Sequence, residues 1–347
     1  MNRTIRLLLK KYVPSPLLRM GRSVRNSIRT ATTLFIAQRL IMELEAMPES
    51  PFKRTPRAGH LRGIDFYDRS QLTRAIALSM ANYKATHGTL PNLLEPRRFN
   101  EKIVWSKFFR EFRVPASGNK LLTSEFIPSG LKDAISCPRV IWHSPIAKLP
   151  SNDEIAPGDY YFKANHGSGM VIMVSFPLSG KELAGLEAKS QEWLSNNYGL
   201  EWGEWWYNSF QKELLIEEAV TCEKNAIFLM FHVFDGDVAF ITLYRKILSF
   251  EPAPEESIWL DADFNSLQYQ NESVGIIRNI PYSEELMLKL KHLASKIGKQ
   301  FQYARVDFIV DNSERAFLGE VTFTPNDGRM PWPTKMDLSL GDKWNLQ

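Results

Sequence analysis

Arg305, Asp307, Glu320 and Thr322 are the residues of this sequence whose types and spacing best suit joint chemistry. They fall in two short apolar runs, Arg305-Val306-Asp307-Phe308-Ile309-Val310 and Phe317-Leu318-Gly319-Glu320-Val321-Thr322-Phe323. Read as strands, period-two alternation puts Arg305 and Asp307 on one face, and Glu320 and Thr322 on one face of the next strand. A four-residue turn over Asn312 to Arg315 then sets Asp307 opposite Glu320 and Arg305 opposite Thr322. Facing carboxylates repel unless a cation lies between them. Mg²⁺ is the natural occupant, since it is commonly held by one or two carboxylates together with substrate phosphates. Arg305 would present its fork to a transferred phosphoryl group or a developing oxyanion. A different register would leave both acids solvated on an open face.

A second stretch suits the phosphates such a metal would bridge. Tyr160-Tyr161-Phe162 delivers Lys163 into the loop Asn165-His166-Gly167-Ser168-Gly169, and Met170 to Val174 leaves it as another strand. Glycines let successive amide N–H groups point one way, and the strand lysine adds a fixed charge beside them. Further along, Leu214 to Val220 reads as a strand ending in Glu217 and Glu218. Asp261-Ala262-Asp263 is a rival metal motif, of the kind that holds a nucleotide-sugar diphosphate. It occurs often by chance and follows Trp259-Leu260 into a turn.

The elements that must position these groups are also legible. Helical spacing runs over Thr33 to Met47, Arg69 to Tyr83, Gly180 to Asn197 and Tyr282 to Phe301. Another helix carries Trp105, Phe108 and Phe109, with Asn100 as N-cap and Glu101 in its first turn. Pro48 to Arg57 reads as a linker, Val140 to Trp142 as a short strand, and Ala156-Pro157-Gly158 as a turn. Ala226 to Phe234 and Val238 to Leu243 form a hairpin around Asp235-Gly236-Asp237. Trp202, Trp205, Trp206 and Tyr207 are either core packing or a carbohydrate platform.

With 347 residues, 44% of them hydrophobic, the chain has room for a substantial core and two or three domains. Cys137 and Cys222 lie far apart and read as reduced thiols, and the histidines show no zinc spacing. Net charge is +4, yet residues 1–42 hold nine Lys or Arg and no acid, so the body is mildly acidic. Between Arg3 and Arg29 the tail alternates bases with apolar residues. It fits either a solvated extension or short amphipathic helices on an anionic membrane. With no apolar run long enough to span a bilayer, neither membrane insertion nor secretion is expected.

The loop Lys163 to Gly169, the segment Leu215-Ile216-Glu217-Glu218 and the hairpin from Arg305 to Gly328 occur in an order that resembles the ATP-grasp superfamily, in its TupA-like branch named for teichuronopeptide biosynthesis. Phe99 to Trp105 and Leu340 to Trp344 add to the likeness, which covers about residues 85 to 345. The resemblance implies an α+β fold in which two α+β subdomains sandwich ATP. The expected division is a basic helical extension and linker (1–60), a helical region (61–150), a first ATP-grasp subdomain (151–220) and a second (221–347). It implies that Lys163 contacts the α-phosphate and adenine side, and that His166, Gly167, Ser168 and Gly169 close over the β- and γ-phosphates. Glu217, Glu218 and Val220 match the hinge that reads adenine and ribose. Asp307 and Glu320 would bind Mg²⁺, with Thr322 where many relatives have an asparagine ligand, and Arg305 would stabilise the transferred group. Lys120 loosely matches an upstream nucleotide-binding lysine. The implied reaction is carboxylate–amine ligation through an acylphosphate, serving a cell-surface polysaccharide or polypeptide such as a capsule component. A uronic or glutamyl carboxylate would be the acceptor and an amine the donor, with no role for nucleic acid. The expected setting is the cytoplasm, with peripheral inner-membrane contact through residues 1–47. The competing classes are a glycosyltransferase using a nucleotide-sugar and a non-catalytic assembly protein that keeps the nucleotide fold.

Overall fold

The computed structural model describes residues 32–220, 225–247, 256–267, 275–311 and 313–346. The tail segments between Arg3 and Arg29, and Cys222, lie outside the described residues.

Helix α1 (32–46) lays Ile41 and Leu44 on Leu72, Ile76 and Met80 of α3 (Arg69–His87). Asp68 and Gln71 cap the start of α3 reciprocally, and Gly88, at φ +77°, ends it. Between these helices lies the short α2 (Gly63–Phe66). Helix α4 (Phe99–Phe109) starts one residue before the expected Asn100 cap. Glu101 accepts the backbone N–H groups of Asn92, Arg97 and Arg98 at 3.0 to 3.1 Å, so the helix is closed from inside its first turn. Asn100 is instead buried within the helix, its N–H donated to Asp337 and its Nδ2 to the Met330 carbonyl. A small ribbon, β1 (His60–Leu61) with β2 (Phe112–Arg113), closes this helical part.

One antiparallel sheet has the order β3-β6-β4-β5, made of Val140–Ser144, Leu214–Glu218, Gly158–Ala164 and Val171–Phe176. Phe162, Leu214 and Ile216 face α5 (Gly180–Ser195), whose Trp193 stacks on Phe162 at 5.4 Å. The other sheet has the order β10-β9-β8-β7-β11-β12, from Gly275–Ile276, Glu256–Asp261, Asp237–Ile247, Asn225–Phe234, Tyr303–Val310 and Ala316–Thr322. Strands β7 and β8 turn on Asp235 and Gly236, both at positive φ (49° and 96°), the conformation whose twist matches a tight hairpin. Helix α6 (Glu284–Gly298) buries Leu286, Leu290, Leu293 and Ile297 against Leu229, Phe231, Val306 and Phe308. Each such side chain stabilises the sheet by about 1.5–3 kcal/mol. On the opposite face Phe99 and Ile103 of α4 and Leu340 of α7 (Thr334–Asp342) meet Tyr303, Phe234 and Trp344, covering one end of the sheet. Trp205, Trp206 and Tyr207 are buried in the core.

The β11–β12 register has a feature that alternation alone does not show. Near the turn, Val310 faces Ala316 and Phe308 faces Leu318, one residue out from the expected register. A bulge at Gly319 restores it, so Asp307 does face Glu320 and Arg305 does face Thr322.

Candidate nucleotide and metal cleft

The uncovered end of the six-stranded sheet and the inner face of the four-stranded sheet enclose a cleft of about 460 Å³. Lys163, Gly167, Ser168, Gly169 and Glu217 line it from one side, Asp307 and Glu320 from the other, and Lys120 from the segment between. Val140, Tyr161, Met170, Phe228, Ile309 and Leu318 supply apolar walls.

Strand pairing places the first ion pair. Glu217 lies opposite Tyr161, two residues from Lys163 on the same face, and Lys163 Nζ donates to Glu217 Oε1 across that diagonal. Its side chain is 15% exposed, open enough to meet a ligand. The loop beyond it is held by Asn165, which is fully buried. Its Oδ1 accepts the Glu213 N–H at 2.9 Å, its Nδ2 donates to the Gln211 carbonyl and to Asn119, and its carbonyl accepts the Lys120 N–H at 2.8 Å. Lys120 Nζ in turn donates to the Gly167 carbonyl. Burial pushes the Lys120 ammonium below its ordinary value, opposed by Glu320 and reinforced by Lys163. Gly167, at φ +76°, has the Tyr198 ring 2.7 Å from where a Cβ would stand, whereas Gly169, at φ +77°, faces open space.

The second ion pair runs along a single strand. Arg305 Nε donates to Asp307 Oδ1 at 2.8 Å, its Nη2 to Oδ2 at 2.6 Å, and Nη2 also reaches Thr322 Oγ1 at 3.2 Å. Burial pushes the Asp307 carboxyl up to about 6, with Arg305 opposing and Glu320 reinforcing the rise.

Other expected site residues are placed elsewhere. His166 turns into the core, where burial, Lys212 and Lys120 push it down to about 4, so it is a neutral packing group. Glu218 pairs with exposed Arg139, with Nε to Oε1 at 2.9 Å, and neither it nor Val220 lines the cleft. Thr322 serves Arg305, and both are likewise absent from the lining, Arg305 reaching the cleft only through Asp307. Asp261 folds its carboxylate over the N–H groups of Asp263 and Asn265 at 2.9 Å, capping a turn outside the cleft. Cys137 lines the cleft, but burial and Glu217 push its thiol up to about 12, which leaves no thiolate for nucleophilic attack.

Asn165 and Glu204 escaped the reading of the sequence. Asn165 was signalled only by being a polar amide between the lysine and the glycines. Glu204 is a lone acid between Trp202 and Trp205. It is buried, accepts the Thr324 hydroxyl, and is pushed up to about 7 by burial and then by Asp327. Beside it Lys107 pairs with Asp327 and donates to Ser79 at 3.0 Å and to the Trp202 carbonyl at 2.7 Å.

The donor set suits Mg²⁺ with a polyphosphate. Asp307 and Glu320 face each other, and among the described residues no third His, Cys, Asp or Glu completes a protein-only site. Phosphate oxygens and water would supply the remaining ligands.

Two sheets that bring a strand lysine and glycine loop against an acidic hairpin define an ATP-grasp fold. The family model described as TupA-like ATP-grasp matches residues 119–345, and the chain belongs to that family. No protein of curated function matches the sequence. Similar solved structures include D-alanine–D-alanine ligase from Bacillus anthracis complexed with ATP, at 19% identity over 60% of this chain and 56% of that one, with a TM-score of 0.36. L-amino acid ligase from Bacillus licheniformis is 15% identical over 73% of this chain and 50% of that one, with a TM-score of 0.37. The ATP-grasp ligase PsnB, complexed with a phosphomimetic variant of its minimal precursor, Mg and ADP, is 15% identical over 65% and 57%, with a TM-score of 0.36. The chain thus spans only 50 to 57% of the length of these three relatives.

Proposed function

We propose that this protein is an ATP-dependent carboxylate–amine ligase. The supporting observation is the convergence of Lys120, Lys163 and the Gly167–Gly169 loop on Asp307 and Glu320 in one cleft, where burial pushes the Cys137 thiol up to about 12. In this reading the two sheets are jaws of an ATP clamp, following the division 61–150, 151–220 and 221–347. Lys163 exchanges Glu217 for phosphate, Lys120 holds the loop carbonyl and adds charge, and the apolar walls take adenine. Glu217 and the end of β6 form the hinge edge. Asp307 and Glu320 would hold Mg²⁺, which supplies charge neutralisation of the phosphates when bound. Arg305 fixes Asp307 and adds its own charge beside the reacting group. The γ-phosphoryl passes to a carboxylate, an amine displaces phosphate from the acylphosphate, and ADP and phosphate leave. Such chemistry depends on positioning and electrostatics more than on a covalent nucleophile.

The family's association with teichuronopeptide supports a cell-envelope polymer precursor as substrate, with a uronic or glutamyl carboxylate and an amine. The enzyme would act in the cytoplasm, with residues 1–47 resting on the inner membrane. No helix among the described residues is long and apolar enough to cross a membrane. The test offers purified protein ATP and Mg²⁺ with a panel of uronic acids, glutamyl compounds and amines, and follows ADP and phosphate. Release that needs both a carboxylate and an amine, and vanishes in Asp307→Ala, is expected. Release of UDP from UDP-sugars, lost in Asp261→Ala and retained in Lys163→Ala, would establish the glycosyltransferase instead.

A further inference from the structure

A second cleft, of about 410 Å³, shares no lining residue with the first. It opens where the linker after α1, the end of α4 and the segment Lys299 to Gln302 meet. Its cations outnumber its acids. Arg57 is paired with Glu111 at 2.8 Å and Arg62 with Asp65 at 3.0 Å, while Arg54, Lys299 and Arg110 form no ion pair among the described residues.

Arg110 is the unusual member. Its Nη1 is buried with no hydrogen-bond partner among the described residues. The rings of Phe323 and Trp344 lie 5.0 and 5.9 Å from its guanidinium carbon. Ring faces attract the cation but do not accept the in-plane N–H bonds that make a guanidinium specific for oxyanions. Asp235 lines the same cleft and attracts Arg110 from beyond ion-pair distance, without reaching its free N–H groups. Burial pushes Arg110 down only to about 10, so it stays charged at neutral pH. A half-buried charge with a buried, unfilled donor nitrogen is costly unless an acceptor completes it.

We propose that this cleft is a second, anion-binding site that takes a phosphate- or carboxylate-bearing ligand, with Arg110 as its anchor and Arg54 and Lys299 as its rim. Its volume is many times the roughly 30 Å³ share of a water molecule, leaving room for a ring or short chain bearing the oxyanion. Phe109, Phe301 and Phe323 offer that body an apolar wall.

The site does not rest on the ligase reading, because its readout is binding. Isothermal titration of the full chain with inorganic pyrophosphate and, separately, with digalacturonate distinguishes a phosphate from a carboxylate source. At least one anion should bind, about tenfold more weakly in Arg54→Glu and in Lys299→Glu, tenfold being about 1.4 kcal/mol. The binding that the rim variants weaken should be lost in Arg110→Gln, whatever phosphate binding the first cleft adds. Because Arg54 and Lys299 are exposed, their variants test the site even if Arg110→Gln fails to fold. Absence of binding by both anions, or insensitivity to the rim variants and to Arg110→Gln, would each overturn the proposal.

Discussion

In the four-stranded sheet Lys163 reaches across to Glu217 on the next strand, whereas in the six-stranded sheet Arg305 folds back onto Asp307 two residues along its own strand. The first is a point charge meeting one carboxylate oxygen beside a glycine loop. The second is a forked contact with both oxygens, steadied by Thr322. An ammonium on a flexible stem exchanges partners readily, while a guanidinium fork is pre-organised around the geometry it holds. The comparison casts Lys163 as the cation that changes partner when a phosphate arrives and Arg305 as the one that stays.

The sharpest way to break that contrast is to remove each cation. Arg305→Met should lower the rate of ADP release about 100- to 1,000-fold, the usual cost of losing one preorganised stabilising group. It should also destabilise the fold by about 3–5 kcal/mol, because Asp307 is left buried without its counter-charge. Lys163→Met should act mainly by raising KM for ATP, with a smaller loss of kcat. Steady-state kinetics and urea unfolding of both variants check this. Equal effects, or a larger kcat loss in Lys163→Met, would remove the distinction.

The acids sharpen it by pH. Asp307 must be ionised to serve a cation, and with its carboxyl pushed up to about 6, ADP release should fall as pH drops through that range. Glu204 bears on stability instead. Its folded carboxyl is raised to about 7 from 4.5, so its stabilisation is complete below 4.5 and is lost as pH rises through about 7. Glu204→Gln should therefore raise stability at pH 8 by up to about 3 kcal/mol, at about 1.4 kcal/mol per tenfold change in proton affinity, and change little near pH 4. Thermal melts at the two pH values provide the check.

The two loop glycines separate conformational strain from crowding. Gly169→Ala should cost about 1–2 kcal/mol for its left-handed conformation alone. Gly167→Ala should cost more, since a Cβ there also meets Tyr198 and Met170. Equal melting temperatures for the two variants would contradict the packing of Tyr198 on the loop. The smallest effect expected is in the tail. Removing residues 1–31, which leaves α1 on α3, should reduce co-sedimentation with anionic liposomes without changing ADP release, and equal binding would withdraw the membrane contact.

Much of the cleft was legible before the fold. The same-face placement of Arg305 and Asp307, the hairpin at Asp235-Gly236 and the lysine-to-glycine loop all follow from local periodicity and turn chemistry. The Asn100 cap was misplaced because Glu101 satisfies donors from outside the helix, a competition that propensity does not rank. His166 and Glu218 carried polarity suited to a nucleotide, yet the packing turned one inward and gave the other to Arg139.

By itself the sequence determined which residues share a strand face and where the chain turns, because those follow from two-residue alternation and from glycine's freedom at positive φ. Only the tertiary structure decided that Lys163 meets Glu217, that Asn165 ties the loop to Asn119, Lys120 and Glu213, and that a bulge at Gly319 brings Asp307 opposite Glu320. Those contacts join segments far apart in the chain or depend on how one turn and one bulge offset each other. Long-range packing sets both.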